Sequence, residues 1–231
     1  MHLELLKKLS FRVTQALAVS LVMVSCVSTK EIRLSASDRE AMKGKTFAVT
    51  TRRMPEFSVM KASAVAGAAL GGAIGGAIAG SMAASEGAGQ VAKHRIPNPN
   101  KTMSDELGPF LSARTGMKQV PSQHTTDTLD SKEIAAQNTG ANYVLDCATT
   151  GWMGAYYPFH LGRYYIMFSG RTQLIETSSG RIVSQSFDFY QGDDRDNAPD
   201  YDGIYTNDAA FLKAETKKGT YKVAQKFKEQ F

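Results

Sequence analysis

The chain is 231 residues long, carries a formal net charge of +5, and is 42% hydrophobic and 21% charged. Those proportions fit one domain with appendages rather than two full domains. The charge is mild and no RNA- or DNA-binding module is spelled out, so nucleic acid is not an expected partner. His2, His94, His124 and His160 are scattered without HxxxH or HExxH spacing. No zinc site, nucleophile elbow or phosphate loop is spelled out, and the expectation is a non-enzymatic protein without a catalytic residue or metal.

At the amino terminus, Lys7, Lys8 and Arg12 precede an apolar run from Ala16 to Val24 that ends at Ser25-Cys26. A charged region, an apolar region and a small residue at a cut site make a signal peptide. Met23-Val24-Ser25-Cys26 resembles the lipobox of bacterial lipoproteins, with Met23 standing where leucine is usual. The resemblance implies that residues 1–25 are removed and that Cys26 carries a covalent lipid, so no other cofactor is expected. Val27 replaces the aspartate associated with inner-membrane retention, which implies a lipid anchor in the outer membrane. An uncleaved anchor or a plain secretory signal is the alternative. Acylation of Cys26 leaves Cys147 as the free thiol, in the apolar run Tyr143-Val144-Leu145-Asp146-Cys147, where a small buried hydrophobe is expected.

Residues 26–45 are polar and mixed in charge and read as a lipidated tether, with a short helix around Asp38 to Met42. Residues 46–61 open with a strand at Thr46 to Thr51, rich in β-branched types, and it ends at Arg52, Arg53 and Pro55. Residues 62–85 then carry no charge and no proline, over about the length a helix needs to cross a bilayer core. Two glycine rows run through them at intervals of four: Gly67, Gly71 and Gly75, and Gly72, Gly76 and Gly80. On a helix these rows open a groove for close helix contact, as in membrane glycine zippers. Each glycine costs an isolated helix in water about 1 kcal/mol relative to alanine, so a membrane or a packed partner must hold the segment. A buried Ala/Gly helix, a flexible linker and a hairpin of two short helices remain as alternatives.

Residues 86–102 read as a linker through Pro97, Asn98 and Pro99. The domain proper is expected over residues 103–231. Leu107, Phe110, Leu111 and Ala113 give a helix from Ser104 to Thr115 closed by Gly116, followed by a short strand at Met117 to Val120 and a helix from Ser131. Ala141 to Thr150, Gly162 to Thr177 and Arg181 to Tyr190 read as strands, the last two joined by a tight turn at Ser178-Ser179-Gly180. A helix from Asp208 to Phe231, with Asn207 as its cap, closes the chain. The expected fold class is α/β: a mixed sheet with an antiparallel three-strand meander and packed helices, plus a Gly-rich apolar helix or helical hairpin.

The run Gly140-Ala141-Asn142-Tyr143-Val144-Leu145 and the hairpin Leu174 to Ser184 resemble the curli-secretion lipoproteins and the lipoprotein activators of penicillin-binding proteins, over roughly residues 103–231. The glycine-rich insert is similar to that of conjugative surface-exclusion lipoproteins. Asp146-Cys147 departs from the glycine common in such families. These resemblances imply an outer-membrane protein that forms a homo-oligomer through its glycine zipper in envelope transport, secretion or surface exclusion. The alternative they imply is a periplasmic adaptor that binds and regulates an envelope enzyme of peptidoglycan synthesis.

Two further stretches invite a role. Trp152, Tyr156, Tyr157, Phe159, Tyr164 and Tyr165, interrupted by Gly151, Gly154, Pro158 and Gly162, form an aromatic cluster that reads as an interfacial belt or a partner-binding loop, centred on the first four, or as a hydrophobic loop folded back onto the sheet. The acidic stretch Asp193 to Gly203 fails the EF-hand spacing and reads as a solvated loop.

Overall fold

The computed structural model describes residues 30–60, 86–122, 124–157 and 160–231. The first helix, α1 (Ala36–Ala41), is capped by Ser35, whose hydroxyl accepts from the Asp38 amide at 3.0 Å. Strands β1 (Thr46–Val49) and β2 (Ser58–Val59) follow, then helix α2 over 86–93. Helix α3 (Pro99–Thr115), strand β3 (Lys118–Val120) and helix α4 (Ser131–Ala136) lead to the long strands β4 (Tyr143–Tyr157), β5 (His160–Glu176) and β6 (Ile182–Gln191). A 3-10 turn (Asp202–Tyr205) and helix α5 (Thr206–Lys228) end the fold.

The sheet runs in the order β3-β1-β4-β5-β6, with β2 beside the far half of β4. β1 is parallel to both β3 and β4, whereas β4, β5 and β6 form an antiparallel meander. This is the mixed α/β sheet the residue pattern predicts. Successive side chains of a strand point to opposite faces, so Leu145 and Cys147 join the main core while Val144 joins a second, smaller one. Helices α3 and α5 cover the first face through Met103, Leu107, Leu111, Val223 and Phe227. Helix α4 covers the other, where Ile134 and Ala135 meet Val144 and Ile175.

Two glycines mark where the layers touch. A methyl group on Gly219 of α5 would come 2.7 Å from the Cβ of Phe168, and one on Gly170 of β5 would come 3.0 Å from Val223. Helix and sheet therefore meet closer than side chains would allow. Gly116 and Gly180 hold φ of 74° and 69°, ending α3 and turning β5 into β6, as their positions in the sequence predict.

Several expectations are corrected. The fold is not confined to residues 103–231, because β1 sits inside the sheet and hydrogen-bonds on both sides. Nor do residues 30–45 form a free tether: Ile32 pairs antiparallel with Gln185, the Leu34 amide donates to Gln230, and Leu34 and Met42 are buried. The stretch 86–102 is helical at both ends, and α3 starts at Pro99 because Asn98 caps it. Proline at a first helical position lacks only an amide that has no helical partner anyway. At the other end of the chain Asn207 is not a cap. It opens a left-handed stretch, Asn207, Asp208 and Ala209 with φ of 53° to 56°, from which α5 continues.

Trp152, Tyr156 and Tyr157 do not lie in a loop. β4 runs on through Tyr157 paired with β5, with Trp152 opposite Phe168 and Tyr156 opposite Tyr164. Alternation continues there, but Gly151 and Gly154 interrupt the β-branched run that marks a strand in sequence.

Candidate functional site: a crevice between two parallel strands

From β1 the chain passes to β2 in the same sheet, and α3, which comes after α2, packs on one face; from β3 it passes to α4 on the other. Beyond the two parallel strands Thr51 bridges Thr125 and the Thr126 amide donates to the Thr51 carbonyl at 2.9 Å, so residues 50–52, 121–122 and 124–125 frame a gap at the carboxyl ends of β1 and β3. A cavity of about 500 Å³ occupies that place. Val49 to Arg52 from β1 form one wall, Gln119 to Ser122 from β3 the second, and the amino-terminal half of α3 the third. Its volume lies in the ordinary range for small-molecule sites, about 300–1,000 Å³.

On the other face of the sheet, beside the loop before α4, lies a buried charge cluster. Asp146, on β4, is fully buried, and its Oδ1 accepts from the Thr50 hydroxyl and from Arg52 Nε, both at 2.8 Å. Oδ2 accepts from Arg52 Nη2 at 3.0 Å, and Arg171 Nη2 stands 3.5 Å away. Both guanidiniums are buried, with side chains 6% and 5% exposed. Each also donates to the loop before α4, Arg52 to the Thr128 carbonyl at 2.7 Å and Arg171 to that of Leu129 at 3.0 Å. Burial holds Arg171 below the ordinary arginine value, Arg52's charge adds to it, and Asp146 pulls the other way. Two cations thus share one carboxylate, and the Nε of Arg171 is buried without a partner.

Among the described residues at the mouth, Lys101 and Asp105 on α3 are the ionisable groups, paired at 2.6 Å and exposed. The crevice therefore offers charge and a part-apolar wall rather than a paired nucleophile and base. Sequence reasoning missed it because its two walls are some seventy positions apart. One signal of the charge cluster was readable: an aspartate in an apolar strand is seldom buried unless paired, and Asp146 is the very position at which the chain departs from the families it resembles.

The expected site residues fare differently. Trp152 is 3% exposed, its indole N–H donating to Thr216 on α5 at 3.1 Å and its ring lying 4.8 Å from Phe57. Tyr157 is buried and donates to the Gly192 carbonyl at 2.9 Å. Tyr156 is half-buried, edge-on to Tyr164. The partner-surface reading therefore fails for Trp152 and Tyr157, whose polar ends are satisfied inside the fold. Phe159, Cys26 and the six glycines, Gly67, Gly71, Gly72, Gly75, Gly76 and Gly80, lie outside the described residues. Cys147 is buried, and burial, with the neighbouring Asp146 charge, pushes its thiol up to about 12. Among the described residues no helix is long and apolar enough to cross a membrane, and no group of His, Cys, Asp and Glu could hold a metal ion.

The places where the chain leaves and re-enters the described fold lie together. A methyl group on Gly87 of α2 would come 1.8 Å from the carbonyl oxygen of Phe57, just before β2. Tyr201 donates its hydroxyl to Glu86, and Val91 and Ile96 share the core that holds Phe57 and Val59.

No protein-family model and no curated protein matches the chain. Among solved structures it is similar to PelC from Paraburkholderia phytofirmans, solved as a dodecamer, at 13% identity over 84% of this chain and 93% of that one, with a TM-score of 0.34. It is also similar to lipoprotein GNA1162 from Neisseria meningitidis, at 9% identity over 78% and 99% with a TM-score of 0.33. The carboxy-terminal domain of LpoB from Salmonella enterica matches at 12% identity over 65% and 85%, with a TM-score of 0.24.

Proposed function

We propose that this chain is a lipid-anchored protein of the bacterial outer membrane, without catalytic activity, that self-associates through its glycine rows in envelope transport, secretion or surface exclusion. The single observation that carries the reading is the closure of one fold on both sides of residues 61–85. β1 and β2 precede them, α2 and α3 follow, and Gly87 lies against Phe57. A segment that leaves and returns at one place cannot divide the fold between two compartments. This favours the hairpin over the single crossing.

Two legs of about 12 residues would each rise about 18 Å. That is short of a hydrocarbon core of about 30 Å, so the insert enters from one side and turns within the bilayer. Its glycine rows then pack leg against leg or copy against copy, where small residues allow backbones to approach. The lipid on Cys26 holds the fold at the same surface, since each buried methylene contributes about 0.8 kcal/mol.

Three measurements test this. Metabolic labelling with a fatty-acid analogue marks the wild type and spares Cys26→Ser; equal labelling removes the anchor. Gly71→Leu with Gly75→Leu lowers the native mass in mild detergent, and an unchanged mass removes the glycine rows from the interface. Single cysteines at the exposed Met54 and Lys93, in a Cys147→Ser background, react alike with an impermeant maleimide in whole cells. Labelling of only one would establish a single crossing. A monomer that co-purifies with an envelope enzyme would favour the adaptor reading instead.

A further inference from the structure

We propose that the part of the sheet's second face beyond α4 lies against the surface of a phospholipid bilayer. This rests on the reading of the chain as membrane-anchored and adds which side of the fold meets the lipid. Helices α3 and α5 pack on the first face, whereas α4, six residues long, covers the second only where Ile134 and Ala135 meet Val144 and Ile175. Past the Asp146 cluster the strands run on. Alternation carries Arg171 on to Met167 along β5, and Gln185 on to Phe187 and Phe189 along β6, while Met153 on β4 stands opposite Met167. Val59 on β2 faces the core, so Met60, whose amide donates to the Gly154 carbonyl at 2.9 Å, points to the second face. Met153, Met167 and Phe187 are half-buried, and Met60 and Phe189 are 39% and 38% exposed. Leu129, in the loop before α4, is exposed on the same side. An apolar patch of this kind on a fold whose other face is covered by two helices marks an interaction surface.

The occupant follows from where the chain leaves the described fold. Residues 61–85 depart after Met60 and return at Glu86, on the β2 side of the patch. At the β6 side the described chain begins at Lys30, whose carbonyl accepts from the Gln185 side chain. Cys26 lies four residues before Lys30, a span of at most about 14 Å. Phe189 lies four residues beyond Gln185 along β6, a rise of about 13 Å. The lipid on Cys26 and the insert after Met60 thus flank the patch, and a bilayer that receives both is brought against the strands between them. Methionine and phenylalanine suit the boundary between headgroups and acyl chains, where the apolar side of an interfacial element sinks by about 5–10 Å.

The test uses the full-length acylated chain in vesicles of phosphatidylethanolamine and phosphatidylglycerol that carry a lipid with a shallow nitroxide. Met60→Cys, Phe189→Cys and Tyr221→Cys, each in a Cys147→Ser background, take the fluorophore NBD at exposed positions, the last of them on α5 over the first face. Emission from Met60→Cys and Phe189→Cys is expected to shift to the blue and to be lost to the nitroxide, and that from Tyr221→Cys to do neither. Quenching at position 60 without quenching at position 189 would overturn the proposal and leave the anchor standing, as would equal quenching at position 221. A blue shift at position 189 that the nitroxide does not quench would overturn it in favour of a second copy of the chain on this face. Vesicles that float without the protein would remove the anchor itself, and the proposal with it.

Discussion

The indole N–H of Trp152 on β4 donates to the hydroxyl of Thr216 on α5 at 3.1 Å, joining the far half of the sheet to the last helix. Trp152 is the chain's one tryptophan, so its fluorescence reports on that junction. Thr216→Val leaves a buried indole donor unsatisfied and should cost about 1–3 kcal/mol. Trp152→Ala removes the ring as well and should cost about 3–5 kcal/mol. Urea unfolding, followed by fluorescence for the first and by circular dichroism for both, checks the order.

Asp146 is the keystone of the buried cluster. Asp146→Asn leaves Arg52 and Arg171 facing each other without a counter-charge, and breaking a buried pair in this way typically costs about 3–5 kcal/mol. Lys101→Ala, which breaks only the exposed pair with Asp105, should change stability by less than about 1 kcal/mol. Thermal unfolding of the two variants side by side measures the contrast.

Two glycines of one short helix should respond with opposite signs. A methyl group at Gly87 collides with the Phe57 backbone at 1.8 Å, so Gly87→Ala must displace α2 from β2 and destabilise the fold. One at Gly89 meets nothing within 4 Å, so Gly89→Ala should be neutral or stabilising by up to about 1 kcal/mol. A melting temperature for Gly87→Ala no lower than that for Gly89→Ala would show that α2 does not sit against Phe57.

Residues 30–42 should loosen in acid. The Arg181 guanidinium, donating from Nη2 to Asp38 Oδ1 at 2.7 Å, holds the Asp38 carboxyl below its ordinary value. A depressed folded value means the contribution is complete above the unfolded value of about 4 and is lost as pH falls through the folded one. Arg181 is half exposed, which limits the effect to about 1 kcal/mol. The difference in urea midpoint between wild type and Asp38→Asn should therefore be present at pH 7 and vanish in stronger acid.

Cys147 should be inert in the folded protein. It is buried, and its thiol is pushed up to about 12 by burial first and by Asp146 second, so little thiolate forms at neutral pH. A thiol reagent should react with it only as fast as the protein unfolds. Immediate stoichiometric reaction under native conditions would contradict the packing of β4.

What the sequence determined by itself is everything written in short-range chemistry. The turn at Gly180, the end of α3 at Gly116, the strands from Thr46 and Tyr143, and the helical spacing of Leu107 and Leu111 follow from backbone sterics and from apolar periodicity within a few residues. The lipobox-like run and the glycine rows are legible for the same reason. Tertiary structure decided what depends on pairs far apart in the chain. Whether Trp152 faced solvent or Thr216 depended on α5, and whether Ile32 hung free or paired with Gln185 depended on the open edge of β6. The crevice exists only because β1 and β3 lie side by side with α3 across their carboxyl ends. Arg52 meets Asp146 across 94 positions, and no local rule of propensity or spacing reaches that far: such contacts are selected by the burial of a whole sheet, after its strands have found their order.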